Sequence, residues 1–160
     1  GWYVGATLLD FERSNITGAV TARRTISRLI EYAQGDGSER SRLDEFPNLK
    51  YEVADRFIES EVMFNFSFRI VSMQGRGLIP NYEASTSKLF NSELSQRLAN
   101  TGVKTFGLYS NLWDETDSRS VLKASFTQSY VSSVSATIAA GTSEIQRNII
   151  ATRGLGLPRG

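Results

Sequence analysis

Apolar residues in the first part of the chain recur at helical rather than strand spacing. Val4, Leu8 and Phe11 open the series and Ile26, Leu29, Ile30 and Ala33 continue it, at the offsets that put side chains on one helix face. This predicts a first helix from about Val4 to Ala33. The stretch from Ser14 to Thr25 is poorer in strong helix formers, so a bend is expected there. The polar run GDGSERS, Gly35 to Ser41, reads as a loop. A second helix is predicted from Pro47–Asn48 to about Gln74, with Leu49, Val53, Phe57, Ile58, Val62, Phe66 and Ile70 as its inward stripe. After the loop GRGLIPN, a third helix from about Tyr82 to Thr101 turns Ala84, Leu89, Leu94 and Leu98 inward. LYSNLWDETDS, Leu108 to Ser118, reads as irregular. A fourth helix from about Ser120 to Val134 and a short fifth from Ser143 to Arg153 complete the chain. The run TQSYVSSVSATI is the weakest helical segment, because its β-branched and Ser residues favour extended structure. No segment alternates as a strand should. The pattern predicts an all-α fold, an antiparallel four-helix bundle with a short extra C-terminal helix, as one domain over residues 1–160.

Composition narrows the chemistry. A chain of 160 residues can bury a core without covalent staples. It contains no Cys and no His, which excludes disulfides, thiolate catalysis and Cys-ligated metals, and removes the usual neutral-pH base and the commonest metal ligand. No metal site is predicted, and any proton transfer falls to a carboxylate, Lys or Tyr. Lys plus Arg number 18 against 17 Asp plus Glu, so charge gives no case for nucleic acid or an anionic membrane as partner. No apolar run approaches the ~20 residues of a membrane span, and nothing resembles a signal peptide. A cytoplasmic setting is expected. The start at Gly1-Trp2, without Met, leads to the expectation of a piece cut from a longer protein.

The stretch AGTSEIQRNI, Ala140 to Ile149, is richer than a helix start requires. Ser143 followed three residues later by Gln146 fits a capping box, in which each side chain satisfies the other's backbone N–H. Glu144 in the first turn complements the helix dipole, and Gly141 permits a tight approach. Capping alone accounts for most of this turn. Thr142 is left over, and its hydroxyl with the free first-turn amides suits a polar ligand at a helix N-terminus.

With its continuation, the tail GTSEIQRNIIATRGLGLPR resembles the C-terminal signature of the acyl-CoA dehydrogenase family. GWYVGATLLDFER at the start resembles the opening of that family's C-terminal helical domain, and EASTSKLFNSELSQRLA, Glu83 to Ala99, resembles its third helix. The resemblance spans essentially the whole chain but only the last part of a family member, without the N-terminal helical domain or the β-barrel. It implies an enzyme that removes an α-proton from an acyl-CoA thioester with a Glu while the β-hydrogen leaves as hydride to FAD. Many members carry that Glu just before the GTS turn, where this chain has Ala140. In another branch, similar to isovaleryl- and long-chain-specific members, the base sits on the first helix, and here LLDFER places Glu12 there. Leu8, Leu9, Gly5, Ile16 and Ala19 share its helical face, and apolar neighbours disfavour the charged form of a carboxylate, as a base near neutral pH requires. The competing reading of Glu12 is a solvated Glu paired with an Arg.

The same resemblance implies that Asp10 and Arg13 contact the CoA arm, against the plainer reading of a polar helix face, and that Thr142 and Glu144 touch the flavin. Two family motifs are replaced. QGDGSERSRLDEF stands where an R-x-x-FG arginine normally reaches the FAD of a neighbouring subunit, and TFGLYSN, Thr105 to Asn111, stands for a Gly-rich segment. Arg40, Arg42 and Arg56 are alternatives for the missing arginine, with no choice among them. The pattern is similar to divergent bacterial members, some acting on sterol-type thioesters and some built as heteromers. The implied partners are an acyl-CoA substrate, an electron-transfer partner and further subunits, in a homodimer, homotetramer or heteromer. The apolar stripe of the third helix and the tail from Ile145 to Leu157 are the expected self-association surfaces. Without the missing domains, the chain is expected to bind FAD weakly or not at all and to be inactive. Two other readings remain: a non-catalytic oligomerisation module, and a degenerate partner subunit of a heteromeric enzyme, which has no need of a carboxylate at Glu12.

Overall fold

Pro47 fixes the start of the longest helix, where its missing N–H costs nothing. The computed structural model describes residues 1, 4–5, 15–35 and 41–158. The helices among them are α1 (Ile16–Gln34), α2 (Arg42–Glu45), α3 (Pro47–Gly75), α4 (Tyr82–Phe106), α5 (Ser125–Ser132) and α6 (Ser143–Ile149), with 3₁₀ turns after α4 and on both sides of α5 and a wide π turn, Ile150–Gly154, after α6. No strand occurs among the described residues. The all-α reading holds.

Contacts between the helices give the topology. Ile26 and Leu29 of α1 pack with Val53 of α3, Leu98 and Phe106 of α4 and Phe126 of α5. One or two turns earlier on α1, Ala19 and Ala22 pack with Met63 and Leu94. Moving forward along α1 is therefore moving backward along α3 and forward along α4. Lys104 Nζ lies 2.8 Å from Glu52, and Arg97 lies 3.0 Å from Glu59, so α3 and α4 are antiparallel as well. Gln96 donates to the Ser133 carbonyl at 3.3 Å and Phe126 packs on Phe106, which runs α5 antiparallel to α4. The result is the expected up-and-down bundle, with α4 touching every other long element.

The bend expected between Ser14 and Thr25 falls at Asn15, which adopts a left-handed conformation, φ 52° and ψ 29°, just before the helix Ile16–Gln34. Asn accepts this region more readily than most residues. Leu8 and Phe11 lie outside the described residues. The third helix continues past Thr101 to Phe106, and Arg42–Glu45, expected as a connection, forms a short helix whose Ser41 hydroxyl accepts from the Asp44 amide at 3.1 Å. The expected fourth helix begins in a left-handed turn over Leu122, Lys123 and Ala124, a conformation that costs roughly 1–2 kcal/mol per residue. That turn delivers Phe126, which is 2 % exposed, onto Gly102. A methyl on Gly102 would stand 2.0 Å from the Phe126 ring.

The stripe of α3 is corrected. Leu49, Val53 and Ile70 are buried as expected, but Ser60, Met63 and Ser67 complete that face. Phe57, Ile58 and Val62 are exposed, and Phe66 is half-buried. A 3.6-residue period started at Leu49 and Val53 passes through 60, 63, 67 and 70, which puts 58 and 62 on the opposite side. Because α3 is apolar on both sides, the longest apolar series was not the inward one.

A ladder of unlike charges crosses three helices. Arg56 Nε and Glu59 Oε2 stand 2.6 Å apart, close enough for an ion pair but misaligned for a hydrogen bond. Glu59 meets Arg97 at 3.0 Å, Arg97 meets Glu93 at 3.8 Å, and Glu93 meets Arg147 of α6.

Candidate functional site

Two consecutive residues before α6 have left-handed backbone, Ala140 at φ 55° and Gly141 at φ 92°. The second position requires Gly on two grounds: the positive φ, and a methyl there would lie 2.7 Å from Gln146 Nε2. The close approach expected at Gly141 is thus present. The helix starts at Ser143 as expected, but its cap lies one residue earlier than the capping-box reading placed it. Thr142, not Ser143, is the N-cap, and its hydroxyl accepts from the Ile145 amide at 3.4 Å. The predicted capping box between Ser143 and Gln146 does not form.

Gln146 does something else. It is fully buried, and its Nε2 donates to the carbonyls of Ala140 at 3.1 Å and Gly141 at 3.3 Å. Lys88 of α4 donates to the same Gly141 carbonyl at 2.7 Å. An amide and an ammonium therefore clamp the turn from behind. The sequence reading missed Lys88. No local pattern ties it to a turn 53 residues away, and only the antiparallel return of α5 along α4 brings the two together. Ser143 Oγ and Gln146 Oε1 are buried without a protein partner.

Glu144 is exposed. Its own backbone N–H, followed by the Thr142 hydroxyl, holds its carboxyl below the usual range, so it is an anion and an acceptor at neutral pH. The turn thus presents a hydroxyl and a carboxylate, while two of its first-turn amides are already engaged, that of Ile145 by Thr142 and that of Glu144 by its own carboxylate. This donor and acceptor set can meet a polar group at a helix N-terminus. Ala140, the residue before the turn, is exposed and brings no carboxylate.

Asp10, Glu12 and Arg13 lie outside the described residues, as does Arg40. Of the other candidate arginines, Arg56 is engaged with Glu59. Arg42 lies across the replaced Gly-rich segment: its Nε donates to the Thr105 carbonyl at 3.2 Å, and its guanidinium stacks on Phe46 at 4.4 Å. The two segments that depart from the family pattern are therefore neighbours in the fold. No group of three or more acidic side chains that could hold a metal occurs among the described residues, and no described helix is long and apolar enough to cross a membrane.

An up-and-down helical bundle whose last helix opens on a clamped Gly-Thr-Ser-Glu turn defines a helical-domain class rather than an activity. The sequence matches the family described as acyl-CoA dehydrogenase, C-terminal domain, over residues 1–155, and the chain belongs to that family. No curated protein matches it in sequence. Among solved structures, the steroid ACAD Tcur3481-Tcur3483 is similar at TM-score 0.87 and 20% identity, over 100% of this chain and 40% of that one. A chain of the ChsE4-ChsE5 complex from Mycobacterium tuberculosis is similar at TM-score 0.76 and 24% identity, over 89% of this chain and 36% of the other. The FAD complex of PigA is similar at TM-score 0.70 and 20% identity, over 88% and 34%. The chain thus spans about two fifths or less of these solved chains, and at such identities the likeness concerns the fold.

Proposed function

We propose that residues 1–160 form the C-terminal domain of an FAD-dependent enzyme that introduces an α,β double bond into an acyl-CoA thioester. The observation that carries this reading is the match to the acyl-CoA dehydrogenase C-terminal domain over residues 1–155. When bound, FAD supplies the acceptor for the β-hydride. The chain's own residues do the rest. The Glu12 carboxylate takes the α-proton as the C–H electron pair becomes the new double bond and the β-hydrogen departs with its own pair. Ala140 has no group that could do this. Thr142 offers its hydroxyl, and Glu144 its carboxylate, to the polar edge of the ring, on a turn that Gln146 and Lys88 hold in place. Asp10 and Arg13 flank the base on the CoA side. Arg42, set against the Thr105 carbonyl and paired with Glu45 at 3.3 Å, is a candidate to meet an anionic group near TFGLYSN.

The test is Glu12→Gln in the full-length polypeptide that carries this chain. Shape and hydrogen-bonding reach are kept while the base is lost. Flavin and acyl-CoA still bind, and flavin reduction slows by at least ~100-fold, the scale of general-base loss. The loss falls on kcat, because the proton moves only in the transition state. Ala140→Glu added to that variant restores part of the rate if both positions flank one α-carbon. Reduction at the normal rate in Glu12→Gln means the base is elsewhere.

A second reading, a non-catalytic subunit of a heteromer, is supported by the replaced motifs at QGDGSERSRLDEF and TFGLYSN. The visible spectrum separates the two: flavin absorbance in the purified protein supports the enzyme, and a colourless protein supports the partner subunit.

A further inference from the structure

The side-chain bonds that grip the turn before α6 come from two different places. Gln146 Nε2 donates to the carbonyls of Ala140 and Gly141. Gln146 belongs to α6 itself, so it shapes the turn but moves wherever α6 moves. Lys88 Nζ donates to the Gly141 carbonyl at 2.7 Å from α4. Of these three bonds, it alone ties the turn to the middle of the bundle. The pair of Arg147 with Glu93 also joins α6 to α4, but it lies further along α6 and Arg147 is exposed. An ammonium makes a charge-assisted bond, stronger than one from a neutral amide, and Lys88 is half-buried, where less water competes for it. The turn needs such a hold. Ala140 carries a side chain yet stands at φ 55°, a region that a Cβ disfavours. Gly141 at φ 92° has many other conformations open to it. Thr142 follows directly as the cap of α6, so a backbone change at 140–141 swings Thr142 and displaces Glu144 with it.

We propose that Lys88 is a positioning residue of the candidate site: it holds the Ala140–Gly141 backbone in its left-handed form against α4, and so fixes where the Thr142 hydroxyl and the Glu144 carboxylate stand. Gln146 and Lys88 thus divide the work, the first setting the turn's shape and the second its place in the bundle. The Lys88 charge reaches the same group by a second route. The Glu144 carboxyl is held below its usual range by its own backbone N–H, then by the Thr142 hydroxyl, with Arg147 and Lys88 adding their charges. Removing the ammonium therefore loosens the turn and withdraws one of the charges that favour the anion upon it. The effect of Lys88 on reaction rests on the dehydrogenase reading, whereas its hold on the turn does not.

The experiment compares Lys88→Met, which keeps an apolar stem and removes donor and charge, with Lys88→Arg, which keeps a charged donor, both in the full-length polypeptide. Amide hydrogen exchange read by mass spectrometry reports on the turn without substrate. In Lys88→Met the peptide spanning Ala140 to Ile149 exchanges about tenfold faster or more, while peptides of α1 and α3 exchange as before. Lys88→Arg stays within about threefold of the unsubstituted protein in the same peptide. Kinetics supply the second readout. Lys88→Met slows flavin reduction by acyl-CoA and leaves KM little changed, because misplaced groups spoil the reacting geometry more than binding. Thr142→Ala then costs less in the Lys88→Met protein than in the unsubstituted one, since a hydroxyl already out of place has less to lose; such coupling marks residues that act through one another. Four results overturn the proposal: unchanged exchange at the turn in Lys88→Met, faster exchange along the whole chain, no recovery in Lys88→Arg, or an undiminished cost of Thr142→Ala in Lys88→Met. The second means that Lys88 supports the fold at large. A protein without dehydrogenase activity that still shows the exchange pattern refutes the enzyme reading and leaves the hold of Lys88 on the turn in place.

Discussion

Helices α3 and α4 lie side by side and invert each other. Tyr82–Phe106 is rich in Ser, Thr and Asn, yet Ser85, Ser87, Ser92, Thr101 and Thr105 are buried. Pro47–Gly75 carries Phe57, Ile58, Val62, Phe68 and Val71, and all are exposed. The polar helix is the middle of the bundle and the apolar one is its rim. Small hydroxyl residues fit in the middle because they let helices approach closely, and some return their O–H to their own backbone, Thr105 to the Thr101 carbonyl at 2.8 Å and Ser92 to the Leu89 carbonyl at 3.0 Å, while Ser85 and Ser87 are buried with no protein partner for their hydroxyls. Hydropathy therefore ranks these two helices in the wrong order of burial. What decides burial is the room that neighbours leave, and what large apolar groups on the rim indicate is a further partner.

Three substitutions test this contrast through the unfolding free energy. Leu98→Ala on α4 removes a side chain packed with Ile26, Leu29 and Val53 and should cost about 2–5 kcal/mol, the range for a large-to-small change in a core. A value near zero in denaturant unfolding would mean that α4 is not the middle. Next in size is Gly102→Ala. Alanine normally stabilises a helix interior by up to ~1 kcal/mol over glycine, but here the methyl meets the Phe126 ring, and a net loss of about 1–3 kcal/mol is expected from overpacking. A gain would show that Phe126 is free to step aside. Smallest is Ile58→Ser on the rim of α3. Measured on dissociated protein it should change stability by less than about 0.5 kcal/mol, although the same substitution in α4 at Leu98 would be severe. A large loss in the dissociated protein would place Ile58 in the core after all.

The sequence carried element boundaries better than faces. Pro47, the GRGLIPN loop and the Gly-Thr-Ser-Glu turn each mark a break by backbone chemistry, and the structure breaks at each. The inward face of α3 was hidden because Phe57, Ile58 and Val62 compete on hydropathy with Met63, Ser60 and Ser67, and only packing against α1 and α4 chooses between them. For the same reason the expected self-association surface moves. The stripe of the third helix is consumed by the core, while the exposed apolar side chains lie on α3 and, as expected, at Ile145, Leu155 and Leu157 of the tail. At the candidate site, the special backbone at Gly141 was legible from the residue type. The one-residue shift of the cap to Thr142 was not, since Thr and Ser are both good caps. Nor was the clamp from Lys88, which depends on chain reversal across the bundle. Glu12, Asp10 and Arg13 rest on the family resemblance alone.

The charge ladder that runs from Arg56 through Glu59, Arg97 and Glu93 to Arg147 bears on behaviour in the heat. Stripping water from ions becomes less costly as temperature rises, whereas the return from burying apolar surface levels off. A series of linked pairs that spans α3, α4 and α6 therefore holds its grip while the packing around it weakens. The last helix, with the Gly-Thr-Ser-Glu turn at its head, is tied to the bundle by the interaction that heating erodes least.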